Sequence, residues 1–203
     1  MASYTITKKK KFDVTGYLIM ISFILFLSCI FLPFIAIYTY QDIFIKNVEA
    51  WFFGTPPLTY LLFAGALIWF SVVIIIFLVY RSKRQMEERK IQIFPFLLLL
   101  IPGVLIIPLT LNHYFYLNDE GIHFTTLTEL KVRHHKWEEV VEAKQHQTIK
   151  NGVMVEGNLE FTFQNGEIFY LPITREVQLN KRRIYDALRD INVELVRVLP
   201  GES

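Results

Sequence analysis

Residues 57–80 read PLTYLLFAGALIWFSVVIIIFLVY, 24 consecutive positions without a charged side chain. About 20 apolar residues in a helix cross the hydrocarbon core of a bilayer, and a soluble domain cannot cover its surface with so few polar groups. This stretch therefore commits the chain to a membrane. Two other runs share its character. Residues 14–40, VTGYLIMISFILFLSCIFLPFIAIYTY, continue past Cys29 without a polar break or a small-residue cleavage site, so they are expected as an uncleaved first span rather than a secretory leader. Residues 91–111 are 21 positions without charge, about 30 Å of helix, but they carry Pro95, Pro102 and Pro108, with Gly103 beside the second.

The basic residues orient these segments. Residues 1–13 form a basic N-terminus with Lys8–Lys11, and RSKRQMEERK follows the second span, whereas the connector at 41–56 has only Lys46. By the positive-inside rule the N-terminus and residues 81–90 are cytoplasmic. In the connector, Trp51, Phe52 and Phe53 beside Lys46 and Glu49 suit a short helix lying in the interface.

The third run either crosses or dips in and returns at Pro102–Gly103. A hairpin turn inside lipid would leave backbone groups unpaired, while prolines in a spanning helix are tolerated with kinks. No Lys or Arg occurs between Lys90 and Lys131, which suits export of the flank. Crossing is therefore expected, with the remainder of the chain external; a return at Pro102–Gly103 would leave it cytoplasmic.

That remainder, residues 112–203, is a different kind of sequence. Residues 1–111 hold ten Lys/Arg against five Asp/Glu, and residues 112–203 hold eleven against fourteen together with all five histidines. The global pI of about 8.6 thus reflects the flanks of greasy segments and not a nucleic-acid surface. The only cysteine is Cys29, so no intrachain disulfide or paired-cysteine zinc site exists.

Within 112–203 the apolar period is about two, broken by turn signals. HYFYLN, the turn NDEG and IHFTTL read as a hairpin, and ELKVRHHKW as a strand leading to a long one. NLEFTFQ, the turn Gln164-Asn165-Gly166 and EIFYLPI read as a second hairpin, with Phe161, Phe163, Ile168 and Tyr170 expected on its buried face. TREVQLNKRRIYDALRDI reads as an amphipathic helix capped by Thr174, with Val177, Ile184, Leu188 and Ile191 on one side. NVELVRVL suits either a short strand or more helix. Trp137 is expected in the core near Leu188. The expected fold class is a membrane protein: N-terminal transmembrane α-helices, then a small α+β domain of about seven strands forming a β-barrel capped by a C-terminal helix.

The run YFYLNDEGIHFTTLTELKVRHHKWEEVVEA, then LEFTFQNGEIFYLPI, then the amphipathic helix resembles the bacterial pleckstrin-homology-like (PH-like) domains attached to short membrane regions. The resemblance covers roughly residues 113–192 and includes the step Trp137, Glu139, Val140. It implies an interaction scaffold without catalytic residues, and it implies a cytoplasmic domain, against the crossing just argued.

Candidate chemistry is sparse. Lys131, Arg133 and His135 alternate along one strand face and form a candidate contact for an anionic headgroup or a partner. A polybasic lipid binder usually clusters four to eight cations, more than this face holds. His134 and His135 are adjacent in a strand and point to opposite faces, so they do not chelate one ion, and no spacing supports a metal through His113, His123 or His146. No Gly-rich phosphate loop, Gly-x-Ser-x-Gly or His-Glu-x-x-His occurs, and the three apolar runs hold no charge for an ion relay. The expected protein is a non-enzymatic membrane protein without a cofactor. Its domain would bind a protein partner or a second copy at the bilayer. The alternatives are a headgroup-binding or envelope-stress sensing module and, behind these, a metal-dependent envelope enzyme.

Overall fold

A computed structural model describes residues 14–45, 49–150 and 152–200; the basic N-terminus and part of the connector lie outside the described residues. The chain divides into two compact units, one of Met1–Tyr38 with Leu58–Thr110 and one of Thr39–Pro57 with Leu111–Ser203.

The first unit is helical. The first apolar run, expected as one span, is two helices, α1 (Val14–Ser28) and α2 (Leu32–Phe44), bent by 71°. Pro33 explains the break. It has no N–H to donate to the Cys29 carbonyl, and its ring crowds the preceding turn. The chain bridges the gap with three-residue turns, Ile30 N donating to Leu27 O at 3.5 Å and Phe31 N to Ser28 O at 3.2 Å. Helix α3 (Pro57–Met86) runs on through the basic flank, where the Arg84 guanidinium lies 5.3 Å from the Tyr80 ring centre.

Helix α4 (Phe94–Leu111) is continuous through Pro102 and Pro108, and no turn forms at Pro102–Gly103. Proline leaves carbonyls of the preceding turn without their helical donors. Pro102 withholds the donor for Leu98 O, and at the next residue the Trp69 indole N–H donates to Leu99 O at 2.7 Å. Helices α3 and α4 are each long and apolar enough to cross a membrane, and the bent pair α1–α2 makes a third candidate if it counts as one span.

The second unit is α+β. Strands β1 (Phe52–Gly54), β2 (Phe115–Leu117), β3 (Gly121–Thr126) and β4 (Glu129–Lys136) form one antiparallel sheet in that order. Strand β1 comes from the connector, where the sequence suggested an interfacial helix. Phe53 pairs with Tyr116, 63 positions later. Phe52 and Phe115 pack their rings 5.8 Å apart, and that aromatic burial explains why the segment is extended and paired instead of lying flat.

A second sheet has the order β7-β6-β5-β8, from β5 (Val140–Lys150), β6 (Val153–Phe163), β7 (Ile168–Leu171) and β8 (Leu195–Val198). The expected barrel is thus two open sheets. A 3-10 turn at Trp137–Glu139 separates β4 from β5 along the chain, and β8 occupies an edge of β5 in parallel. NVELVRVL resolves as strand.

Helix α5 (Arg175–Asp190) begins where Thr174 Oγ1 accepts from Val177 N at 3.3 Å, and it buries Val177, Ile184 and Leu188. These join Trp137, Phe161 and Phe163 in one core with Phe115, Ile122 and Leu159. Trp137 meets Phe161 edge-on and donates from its indole to Asn118 O at 3.0 Å. The β6–β7 hairpin differs from expectation. Phe161 opposes Phe169 and Leu159 opposes Leu171, so Phe169 and Leu171 are buried while Ile168 and Tyr170 are 45% and 53% exposed. The turn length sets the parity, and a shift of one residue exchanges the faces.

Candidate functional site

The sequence drew attention to Lys131, Arg133 and His135 on β4. The structure brings two of them together. Arg133 forms a two-pronged pair with Glu129, Nε and Nη2 at 2.8 and 2.7 Å from the carboxylate, and also pairs with Glu167 at the β6–β7 turn. The bonds to Glu129 and then to Glu167 raise its already high pKa. His135 is buried and lies flat on Phe163, 4.0 Å between ring centres, with its nitrogens 3.1 Å from Glu139 and Glu167. Two glutamates therefore engage the guanidinium, and Lys131 is exposed. Charge neutralised inside the protein does not attract an outside anion strongly.

On the opposite face of the same sheet His123 and His134 are cross-strand partners, with their Nδ1 atoms 2.7 Å apart. Asn118 Oδ1 accepts from the backbone N–H groups of Glu120 and Gly121, which identifies it as the oxygen of the side chain, and lies 2.9 Å from His123 Nε2. His123 Nε2 must then carry a proton, its Nδ1 is the acceptor, and His134 Nδ1 is the donor. Burial, then the neighbouring His134, pushes the His123 pKa down to about 4. No group of three His, Cys, Asp or Glu is placed to hold a metal among the described residues.

The second sheet carries the feature most like a binding site. Strands β5 and β6 pair Gln145 with Leu159 and then Gln147 with Glu156. Gly157 and Asn158 therefore both oppose His146, a β-bulge, which bends a strand and re-aims its side chains. A Cβ at position 157 would stand 3.0 Å from His146 O and 3.2 Å from Thr148 Cγ2, so glycine permits the close approach. From the core side, buried Gln145 donates from Nε2 to Gly157 O at 3.0 Å and pins the bulge, while its Oε1 has no partner.

A cleft of about 430 Å³ opens beside the bulge, lined by His146, Thr148, Gly157, Asn158, Tyr170, Pro172 and Ile173. His146 is held by Glu160, Nε2 to Oε2 at 2.6 Å. Glu160 stands in a cross-strand row with Lys144 and Tyr170, and Lys144 is itself drawn to Glu142 at 2.8 Å and to Glu160 at 3.8 Å. Sequence reasoning considered His146 only as a metal ligand. It passed over Glu160, Gln145 and Gly157, for which a glycine and a glutamine inside strand patterns were the available signals.

No known protein family, curated protein or solved structure matches this chain.

Proposed function

We propose that this chain is a non-enzymatic, membrane-anchored recognition module whose PH-like domain stands on the non-cytoplasmic side and docks a protein partner or a second copy there. The pairing of β1 with β2 carries the sidedness. Strand β1 precedes α3 and β2 follows α4, yet Phe52, Phe53 and Gly54 are hydrogen-bonded neighbours of Leu117, Tyr116 and Phe115. Connector and domain must share one side of the bilayer. If α3 crosses, α4 must cross back. Gln41 supports the same conclusion: its Oε1 accepts from Thr55 Oγ1 at 2.6 Å, and its Nε2 points at the carbonyls of Leu111 and His113. Gln41, Thr55, Leu111 and His113, all in the second unit, thus lie together. Arg81, Lys83, Arg84, Arg89 and Lys90 favour a cytoplasmic location for the other end of α3, which supports an external domain.

Thiol accessibility tests the placement. In a Cys29→Ser background, Thr128→Cys in the β3–β4 turn should react with an impermeant thiol reagent on intact cells, and Gln85→Cys should react only after permeabilisation. The reverse pattern would put the domain in the cytoplasm. Cross-linking with mass spectrometry in native membranes tests the docking itself: neither a copy of the chain nor another protein attached to residues 112–203 would remove that reading.

A further inference from the structure

We propose that the cleft beside the Gly157 bulge is a binding site for an uncharged sugar ring, a pyranose unit of a surface glycan. The bulge is the first reason. A mid-strand glycine, a buried glutamine spent on holding one backbone carbonyl and a mostly buried glutamate all break the local rules of a sheet at one place. Such departures gather where a protein holds a site in shape. The cleft volume lies at the lower end of the roughly 300–1,000 Å³ of small-ligand pockets.

Charge then selects the ligand. No acidic residue lines the cleft, and the Glu160 carboxylate behind His146 is already engaged by His146 and Lys144, so an organic cation finds no free counter-charge. An anion fares no better. The nearby cation, Lys144, is held by Glu142 and Glu160, and the Glu160 carboxylate stands behind His146. A phosphate or carboxylate entering the cleft would find no free cation to meet it.

What remains is a neutral ligand with both polar and apolar surface. Thr148 and Asn158 offer a hydroxyl and an amide, and Tyr170 presents an exposed aromatic ring with a phenolic hydroxyl, with the apolar Pro172 and Ile173 also in the lining. A sugar ring has the complementary surface: C–H groups for an aromatic face and hydroxyls for the amide, hydroxyl and imidazole groups at its rim. Glu160 accepts from His146 Nε2 when the imidazole is neutral and so fixes its tautomer, leaving Nδ1 as the acceptor for a sugar hydroxyl. The site rests on the external placement proposed above only for where the sugar is met; its chemistry is independent of the side.

The purified full-length chain in detergent micelles tests this, because binding is then read without reference to sidedness. Methyl α-glucoside, methyl α-galactoside and N-acetylglucosamine are titrated and followed by saturation-transfer NMR and calorimetry, with inorganic phosphate as the charged probe. At least one sugar should bind saturably with a Kd of about 1 mM, unaffected by phosphate. Tyr170→Ala and Asn158→Ala, checked by melting curves for retained fold, should each weaken it about tenfold or more. Absence of saturable binding by all three sugars to the folded protein would overturn the proposal, as would unchanged affinity in both variants or displacement by phosphate. The thiol-labelling result stands apart from these outcomes, so failure of the sugar site and failure of the external placement are distinguishable.

Discussion

His123 and His134 share a single proton between their Nδ1 atoms, 2.7 Å apart across β3 and β4. The order of donors is fixed from outside the pair, by the Asn118 turn that makes His123 Nε2 a donor. A second proton on His123 would set two N–H groups face to face. The groups around it are His134 and His135, which oppose its protonation, Glu120, which favours it, and the Tyr116 ring stacked at 4.5 Å.

The pH dependence follows. His123 titrates at about 4 in the fold against about 6.5 in an unfolded chain. Between these values the unfolded state binds more protons, so stability rises with pH and falls as pH drops from about 6.5 toward 4. The loss is at most about 3 kcal/mol. Melting of the β-sheet unit, followed by near-UV circular dichroism, should move down over this window, and His123→Gln should lose most of the slope. Equal slopes in both proteins would refute the assignment.

Between α1 and α3, candidate membrane helices, the Ser22 and Ser71 hydroxyls lie 2.9 Å apart, and each is within reach of the other's backbone carbonyl, at 3.2 and 2.9 Å. Such polar contacts in lipid contribute about 0.6 kcal/mol each, rarely above about 1.7. Ser22→Ala and Ser71→Ala should each destabilise the α1–α3 contact by about 1 kcal/mol. The double variant should cost less than their sum, because one network is being removed twice. Unfolding in mixed micelles measures this; full additivity would mean the two hydroxyls act separately.

Trp137 is buried against Phe161 with its indole bonded to Asn118 O. Trp137→Ala should cost about 3–5 kcal/mol, enough to abolish the cooperative melting transition of the sheet unit or lower it by many degrees. An unchanged melting curve would place the side chain outside the core.

Gly54 is where the connector strand touches its neighbour. A Cβ there would fall 2.5 Å from the Phe115 ring. Gly54→Val should therefore loosen β1 at a cost of about 1–3 kcal/mol, read as faster amide exchange at Phe53 and Tyr116 than in the native chain. Unaltered exchange would mean that Phe115 has room to move aside.

Legibility in the sequence tracked how local the deciding interactions were. Helix α5 was readable because cap, period and buried face all lie within 17 residues, from Thr174 to Asp190. Helix α3 was readable from its apolar length alone. The buried side of β7 was not, since the four residues Ile168–Leu171 fit either parity and only the pairing of Phe161 with Phe169 decides. Strand β1 was hidden because three residues carry no alternation and their partner is distant. For Arg133 the spacing gave the face but not Glu167, which arrives from another hairpin. The cleft depends on a bulge whose sequence traces are one glycine and one glutamine inside strand patterns, Gly157 and Gln145.

The lending of β1 by the connector has a consequence for modularity. A domain that began at residue 112 could be cut out and moved elsewhere by recombination. This one would leave behind the strand that covers Phe115, and its loss would expose a fresh sheet edge. During synthesis Phe52–Gly54 emerge first and wait while two long helices are made, several seconds at about 5–20 residues per second. If α3 and α4 both cross, a change in the number of crossing segments between β1 and β2 by one would leave the two strands on opposite sides of the bilayer with no way to meet.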